Sequence, residues 1–198
     1  AAYRAKQHPH IVQVSERGFL TMFNSGAIVP VAELMAEHGY KIDWQDFLPP
    51  VVGYYSKDGK MIPMPFNSST PILFYNRAHF KAAGFDTPGA TWQEFEKQLR
   101  TIREKGISQC GMGLPGDYEW SLIENYSAIN DIAYATIRNG LDGLDTQLVF
   151  NKQEKMVGQI ERLTRLYKDG ILEIAGQGNT PIQLYTSGRC STFMASTA

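Results

Sequence analysis

Residues 65–76, P-F-N-S-S-T-P-I-L-F-Y-N, join a polar turn to an unbroken apolar run, and this junction constrains the fold more than any other stretch. The second half, Ile72 to Tyr75, reads as a buried strand. The first half places Asn67, Ser68, Ser69 and Thr70 at the mouth of that strand. Small hydroxyl and amide groups beside a buried strand can hold a neutral or anionic polyol without a paired charge. The same pattern also describes a loop that caps a core strand and binds nothing.

A chain of 198 residues is long enough to bury one good core or to contribute to two domains. It carries 19 basic and 20 acidic side chains, for a formal net charge of -1. That balance argues against nucleic acid or an anionic membrane as partner, because both select a basic surplus. The apolar runs fall well short of the ~18 residues of a membrane span. The first residues do not read as a basic segment followed by an apolar one, so an exported form would already have lost its signal. The opening A-A-Y-R-A-K resembles the end of a helix, and the final S-T-F-M-A-S-T-A resembles a strand with nothing after it. Both fit a piece of a longer polypeptide. Cys110 and Cys190 form no metal cluster. They can close one long-range bridge, but separate buried thiols fit their small and apolar neighbours better.

Along the chain, helix and strand signals alternate in an α/β rhythm. A short strand is expected at residues 11–14, followed by a polar acidic loop containing Glu16. The spacing of Ile28, Val31, Leu34 and Met35 predicts a helix ending at Gly39. Asp43 caps a short helix over 44–48 that Pro49-Pro50 stops. Residues 51–55 and 61–65 read as paired strands around an Asp58-Gly59 turn. Residues 77–83 read as a helix closed by Gly84. Thr91 and Glu94 form a capping box that opens a helix ending at Lys105-Gly106. The glycine-rich stretch 107–114 predicts a strand with close neighbours. Residues 120–138 have the periodicity of a helix of about five turns. A short strand is expected near 148–150, then an amphipathic helix through Val157, Ile160, Leu163, Leu166 and Tyr167. A short helix over 183–187 and a final strand over 189–196 complete the pattern. The composition shift at 139–152 marks the expected domain boundary.

Nucleotide-binding, nucleophile-elbow and zinc-protease motifs are absent from the sequence. His8 and His10 share a turn without a third ligand, so no metal and no cofactor is expected. An unrecognised hydrolase stays open as an alternative, because spatial constellations are invisible in sequence.

Residues 49–56, 65–76, 120–129, 139–151 and 185–196 resemble, in register, the extracytoplasmic solute-binding proteins of ABC transporters, of the glycerol-3-phosphate receptor type. The resemblance implies an α/β, type II periplasmic-binding-protein-like fold, present here in part. Most of the N-terminal lobe (residues 1–138) would be followed by the hinge crossing and the start of the C-terminal lobe (139–198). It implies a non-catalytic, periplasmic capture protein for glycerol-3-phosphate or a glycerophosphodiester, with the permease subunits of an importer as partners. The alternatives are glycerophosphocholine or another sugar or polyol.

Carried over by position, the resemblance implies ligand contacts from Glu16, Ser69 and Ser196, and the adjoining Ser68 is a further candidate. Where the family places a tryptophan against its ligand, this chain has Asp117, within a residue or two; Trp120 is the substitute wall. An acid there would favour a cationic headgroup, for which Tyr118 and Trp120 offer aromatic faces. The isolated piece is expected to bind weakly, and its sheet edges to promote self-association.

Overall fold

The computed structural model describes residues 5–7, 9–114, 120–176 and 180–197. They fall into two compact units, one up to Ser68 and the other from Ser69.

In the first unit, a 3-10 turn at Glu16–Gly18 leads into helix α1 (Phe19–Asn24). Helix α2 (Val31–Glu37) follows, then a 3-10 turn at Trp44–Asp46, helix α3 (Pro49–Tyr55) and the hairpin β1 (Ser56–Lys57) and β2 (Lys60–Met61). Phe19, Val31, Met61 and Ile62 form its buried apolar set. The Phe19 ring lies 6.1 Å from Tyr54 and 5.7 Å from Tyr55, so α1 packs against the last turn of α3. Asp58 and Gly59 take φ of 51° and 76°, the left-handed pair that a two-residue hairpin needs. Asp43 caps as expected, its Oδ1 accepting the Gln45 N–H at 2.9 Å.

Three expectations for this unit are corrected. Residues 11–14 form no strand, and Ile11 is 90% exposed. The helix expected over 44–48 is a single 3-10 turn. Residues 51–55 are helical, because Pro49 and Pro50 occupy the first turn of α3, where a missing N–H costs nothing and the fixed φ is already helical. The proline pair starts a helix where the sequence pattern had it stopping one.

The second unit is built on a four-stranded sheet of order β3-β6-β4-β5. These are β3 (Pro71–Tyr75), β4 (Cys110–Leu114), β5 (Leu172–Ile174) and β6 (Cys190–Ser196). β4, β5 and β6 run parallel, and β3 pairs antiparallel with β6. Helix α4 (Arg77–Ala83) ends at Gly84 with φ 96°. Helix α5 (Trp92–Glu104) carries the complete Thr91–Glu94 capping box and buries Phe95, Leu99 and Ile102. These side chains join Phe80, Met112, Leu114, Leu122, Leu166, Ile171 and Leu172 in one core. A Cβ on Gly111 would lie 2.9 Å from Leu99 Cβ and 3.2 Å from Ile171 O, so only glycine lets α5 sit this close to β4.

The stretch expected as one long helix is broken. A π-helical turn (Trp120–Glu124) runs into α6 (Asn125–Ile129), and the single turn α7 (Thr136–Asn139) has Ile137, Arg138 and Asn139 at φ of 51°, 50° and 56°. Side chains take over backbone bonding here: Ser127 Oγ donates to Ile132 O, and Asn139 Oδ1 accepts from the Tyr134 and Ala135 N–H groups. The strand expected near 148–150 is reduced to one bridge, Ala135 to Leu148.

Helix α8 (Glu154–Lys168) buries Met156, Gln159 and Leu166, whereas Val157 and Tyr167, expected on its inner face, are exposed. Helix α9 (Thr180–Thr186) precedes β6. Cys110 and Cys190 are not separate thiols. They are register partners on β4 and β6, with Cα atoms 4.6 Å apart, and are joined as a disulfide.

Candidate functional site: a hydroxyl-lined strand edge

Because β4, β5 and β6 are parallel, their carboxyl ends, Leu114, Ile174 and Ser196, lie at one end of the sheet. Ligands of open α/β sheets bind beyond such ends. The antiparallel strand β3 brings its first residue to the same end, with Pro71 opposite Ser196. Thr70 therefore meets Thr197, 127 positions away, and Ser69 and Ser196 are their neighbours along the chain.

Two hydrogen bonds fix that meeting. The Thr197 N–H donates to Thr70 O at 3.1 Å. The Thr70 N–H donates to Thr197 Oγ1, also at 3.1 Å. Ser69, Thr70 and Thr197 are exposed, and Ser196 is half-buried. Behind them, Phe74 stacks on Phe193 with ring centroids 4.7 Å apart, and Tyr185 lies 4.8 Å from Phe193. An aromatic layer thus stands behind a polar rim held in one register. Hydroxyls donate and accept, so this rim can meet both the hydroxyls of a polyol and the oxygens of a phosphate.

Trp120 is half-buried and opens the π-helical turn that follows the segment after β4. Asp117 and Tyr118 lie outside the described residues. Ser68, the last residue of the first unit, is exposed.

Glu16 belongs to the first unit and begins a 3-10 turn; the strand expected before it is absent, which corrects its placement at a strand's carboxyl end. Its main-chain oxygen accepts from Tyr54 Oη at 3.2 Å. Burial, followed by the negative charge of Glu16, raises the Tyr55 hydroxyl above its ordinary value. Thr197 is the site residue that sequence reasoning passed over. Nothing local in the sequence marks it, since its partner is fixed by the β3–β6 register.

A separate cleft of about 310 Å³ lies between Asn130–Ile132 and the start of α8, lined by Asp131, Gln153, Glu154 and Lys155. It contains none of the residues expected to bind ligand, and its mixed charges select no obvious ligand. Among the described residues, one group of potential metal-ligating side chains lies close together, Cys110, Glu173 and Cys190. Two of its three members are consumed in the disulfide. No helix among the described residues is long and apolar enough to cross a membrane.

The family model for bacterial extracellular solute-binding proteins matches residues 1–198. The sn-glycerol-3-phosphate-binding periplasmic protein UgpB of Brucella abortus (strain 2308) is 42% identical over 195 residues, covering 96% of this chain and 45% of that protein. Its namesake from Pectobacterium atrosepticum is also 42% identical, over 99% of this chain and 44% of that protein. The chain thus spans a little under half the length of the curated relatives it matches.

Among solved structures, the sugar-binding protein MalE from Xanthomonas citri superposes with a TM-score of 0.76 at 18% identity, over 98% of this chain and 48% of that one. UgpB from Mycobacterium tuberculosis, solved in complex with glycerophosphocholine, gives 0.68 at 17% identity, over 90% and 42%. At such identities the likeness shows the fold alone, and that fold is the α/β, periplasmic-binding-protein-like one expected from the sequence.

Proposed function

Because this chain belongs to the bacterial extracellular solute-binding proteins, we propose that it forms part of a receptor capturing glycerol-3-phosphate or a related glycerophosphodiester for an ABC importer. The family comprises binding proteins rather than enzymes and works outside the cytoplasm, and the relatives named above are periplasmic. The buried Cys110–Cys190 disulfide suits an oxidising compartment. Permease subunits of the importer would be the protein partners.

The observation that carries the ligand class is the shared edge of Ser69, Thr70, Ser196 and Thr197. A small ligand dense in oxygen needs many neutral donors and acceptors within one reach, and specificity depends on leaving none of its oxygens unpartnered. Ser69 and Ser196 would contact the ligand from this edge. Glu16, by family resemblance, and Ser68, Asp117 and Trp120, from this chain's own sequence, are the further candidate contacts. In the whole receptor, residues 1–138 would belong to the N-terminal lobe and 139–198 to the hinge crossing and the start of the C-terminal lobe.

The second reading, glycerophosphocholine, is favoured by the acid at position 117 together with the aromatic Trp120. Calorimetric titration of the full-length protein with glycerol-3-phosphate, glycerophosphocholine and maltose tests both. Binding confined to maltose would overturn the glycerophosphate reading. Choline-dependent tightening would select the diester.

A further inference from the structure

The ladder between β3 and β6 ends in an exchange of partners. A regular antiparallel pair at Thr70 and Thr197 would trade both main-chain bonds. One is made, from the Thr197 N–H to Thr70 O. The other is replaced, because the Thr70 N–H donates to the side-chain Oγ1 of Thr197. A hydroxyl thus stands in for a carbonyl, and both main-chain groups of Thr70 are tied to Thr197. The adjoining Pro71 has no N–H to offer, so this side-chain bond is the donor contact that holds the turn side of β3 at its mouth.

We infer that Thr197 is a positioning residue for the binding edge: its hydroxyl holds the Ser69–Thr70 turn at a fixed distance from Ser196. The inference rests on the proposed function above, which assigns ligand contact to Ser69 and Ser196 but no role to Thr197. All the groups tied by this hydroxyl are exposed, so water can replace the lost acceptor at Thr70. Removing it therefore loosens the turn with little effect on the global fold. A residue acting only in folding would show the opposite balance.

The test uses the full-length protein carrying Thr197→Val, which preserves shape and removes the acceptor, and Thr197→Ser, which restores it. Affinity for glycerol-3-phosphate is measured by calorimetry, and thermal melting is measured without ligand. The expected result is a loss of roughly fivefold to tenfold in affinity for Thr197→Val, the scale of one hydrogen bond. Thr197→Ser should stay within about twofold of the parent, on the same scale, and neither variant should shift the melting midpoint. Thr197→Val binding as tightly as the parent would overturn the inference, as would a loss of affinity that follows a loss of melting temperature. A parent protein that binds none of the three titrated ligands would instead overturn the function on which the inference stands.

Discussion

His79 Nδ1 lies 2.9 Å from Ser191 Oγ, and that contact opens a chain of hydroxyls running into the sheet. Ser191 Oγ lies 2.7 Å from Ser108 Oγ, which donates to Cys110 O at 2.8 Å. These three contacts share two hydroxyl protons, so the third proton is the histidine's own. Nδ1–H donates to Ser191, Ser191 donates to Ser108, and the neutral ring keeps its lone pair on Nε2. The tautomer can be read directly from long-range proton–nitrogen NMR couplings. An Nε2-protonated neutral ring would refute the assignment.

Burial also pushes the His79 imidazole below its ordinary value. A histidine with a depressed folded-state pKa binds its proton more readily when unfolded. Its contribution to stability is therefore complete above the unfolded value of about 6.5 and is lost as pH falls through the lower folded value. Urea unfolding at pH 7.5 and 5 should show a smaller acid-induced loss for His79→Gln than for the parent. Equal losses in both proteins would contradict this.

The Cys110–Cys190 bridge closes a loop of 80 residues. Restricting that loop in the unfolded chain stabilises by about 4.5 kcal/mol in the chain-entropy treatment, with measured cases spanning about 2–5. Replacing both cysteines with alanine should lower unfolding free energy by an amount in that range. Both sulfurs are buried, so reductant should act slowly on the folded protein. Thiol labelling as fast in the native protein as in the unfolded one would contradict that expectation.

Gly111→Ala should destabilise by about 1–3 kcal/mol, because the new methyl collides with Leu99 Cβ and the Ile171 backbone and must push α5 off the sheet. Gly158→Ala, in the middle of α8 with open space around its position, should instead stabilise by up to about 1 kcal/mol. Chemical unfolding of the two variants side by side provides the comparison.

Among the described residues the sheet ends in β3 on one side and β5 on the other. Ile72 on β3 is 39% exposed. Unpaired strand edges recruit further strands, so the 198-residue chain is expected to self-associate at high concentration. Light scattering that reports a monomer at millimolar concentration would count against it.

Signals that act through neighbouring residues were legible in the sequence. The Thr91–Glu94 box, the Asp43 cap, the Asp58-Gly59 turn and the Gly84 stop each depend on a few adjacent atoms, and each is found. Patterns open to two periods were not. V-V-G-Y-Y suits a strand by composition, and only the proline pair in its first turn decides for helix. The periodicity of residues 120–138 did not reveal that Ser127 and Asn139 would divert backbone groups to their own side chains. The disulfide and the meeting of Thr70 with Thr197 depend on strand register, which no local pattern encodes. Family resemblance supplied Ser69 and Ser196 one at a time. Their shared edge, and the part Thr197 plays in it, needed the fold.

Among the described residues, the order β3-β6-β4-β5 places the strand latest in sequence, β6, between β3 and β4. Residues 71–75 take their described lateral neighbour from residues 190–196, far along the chain. Pairing across so long a separation must close a large loop first, which makes the docking of β3 on β6 a slow kind of step in folding.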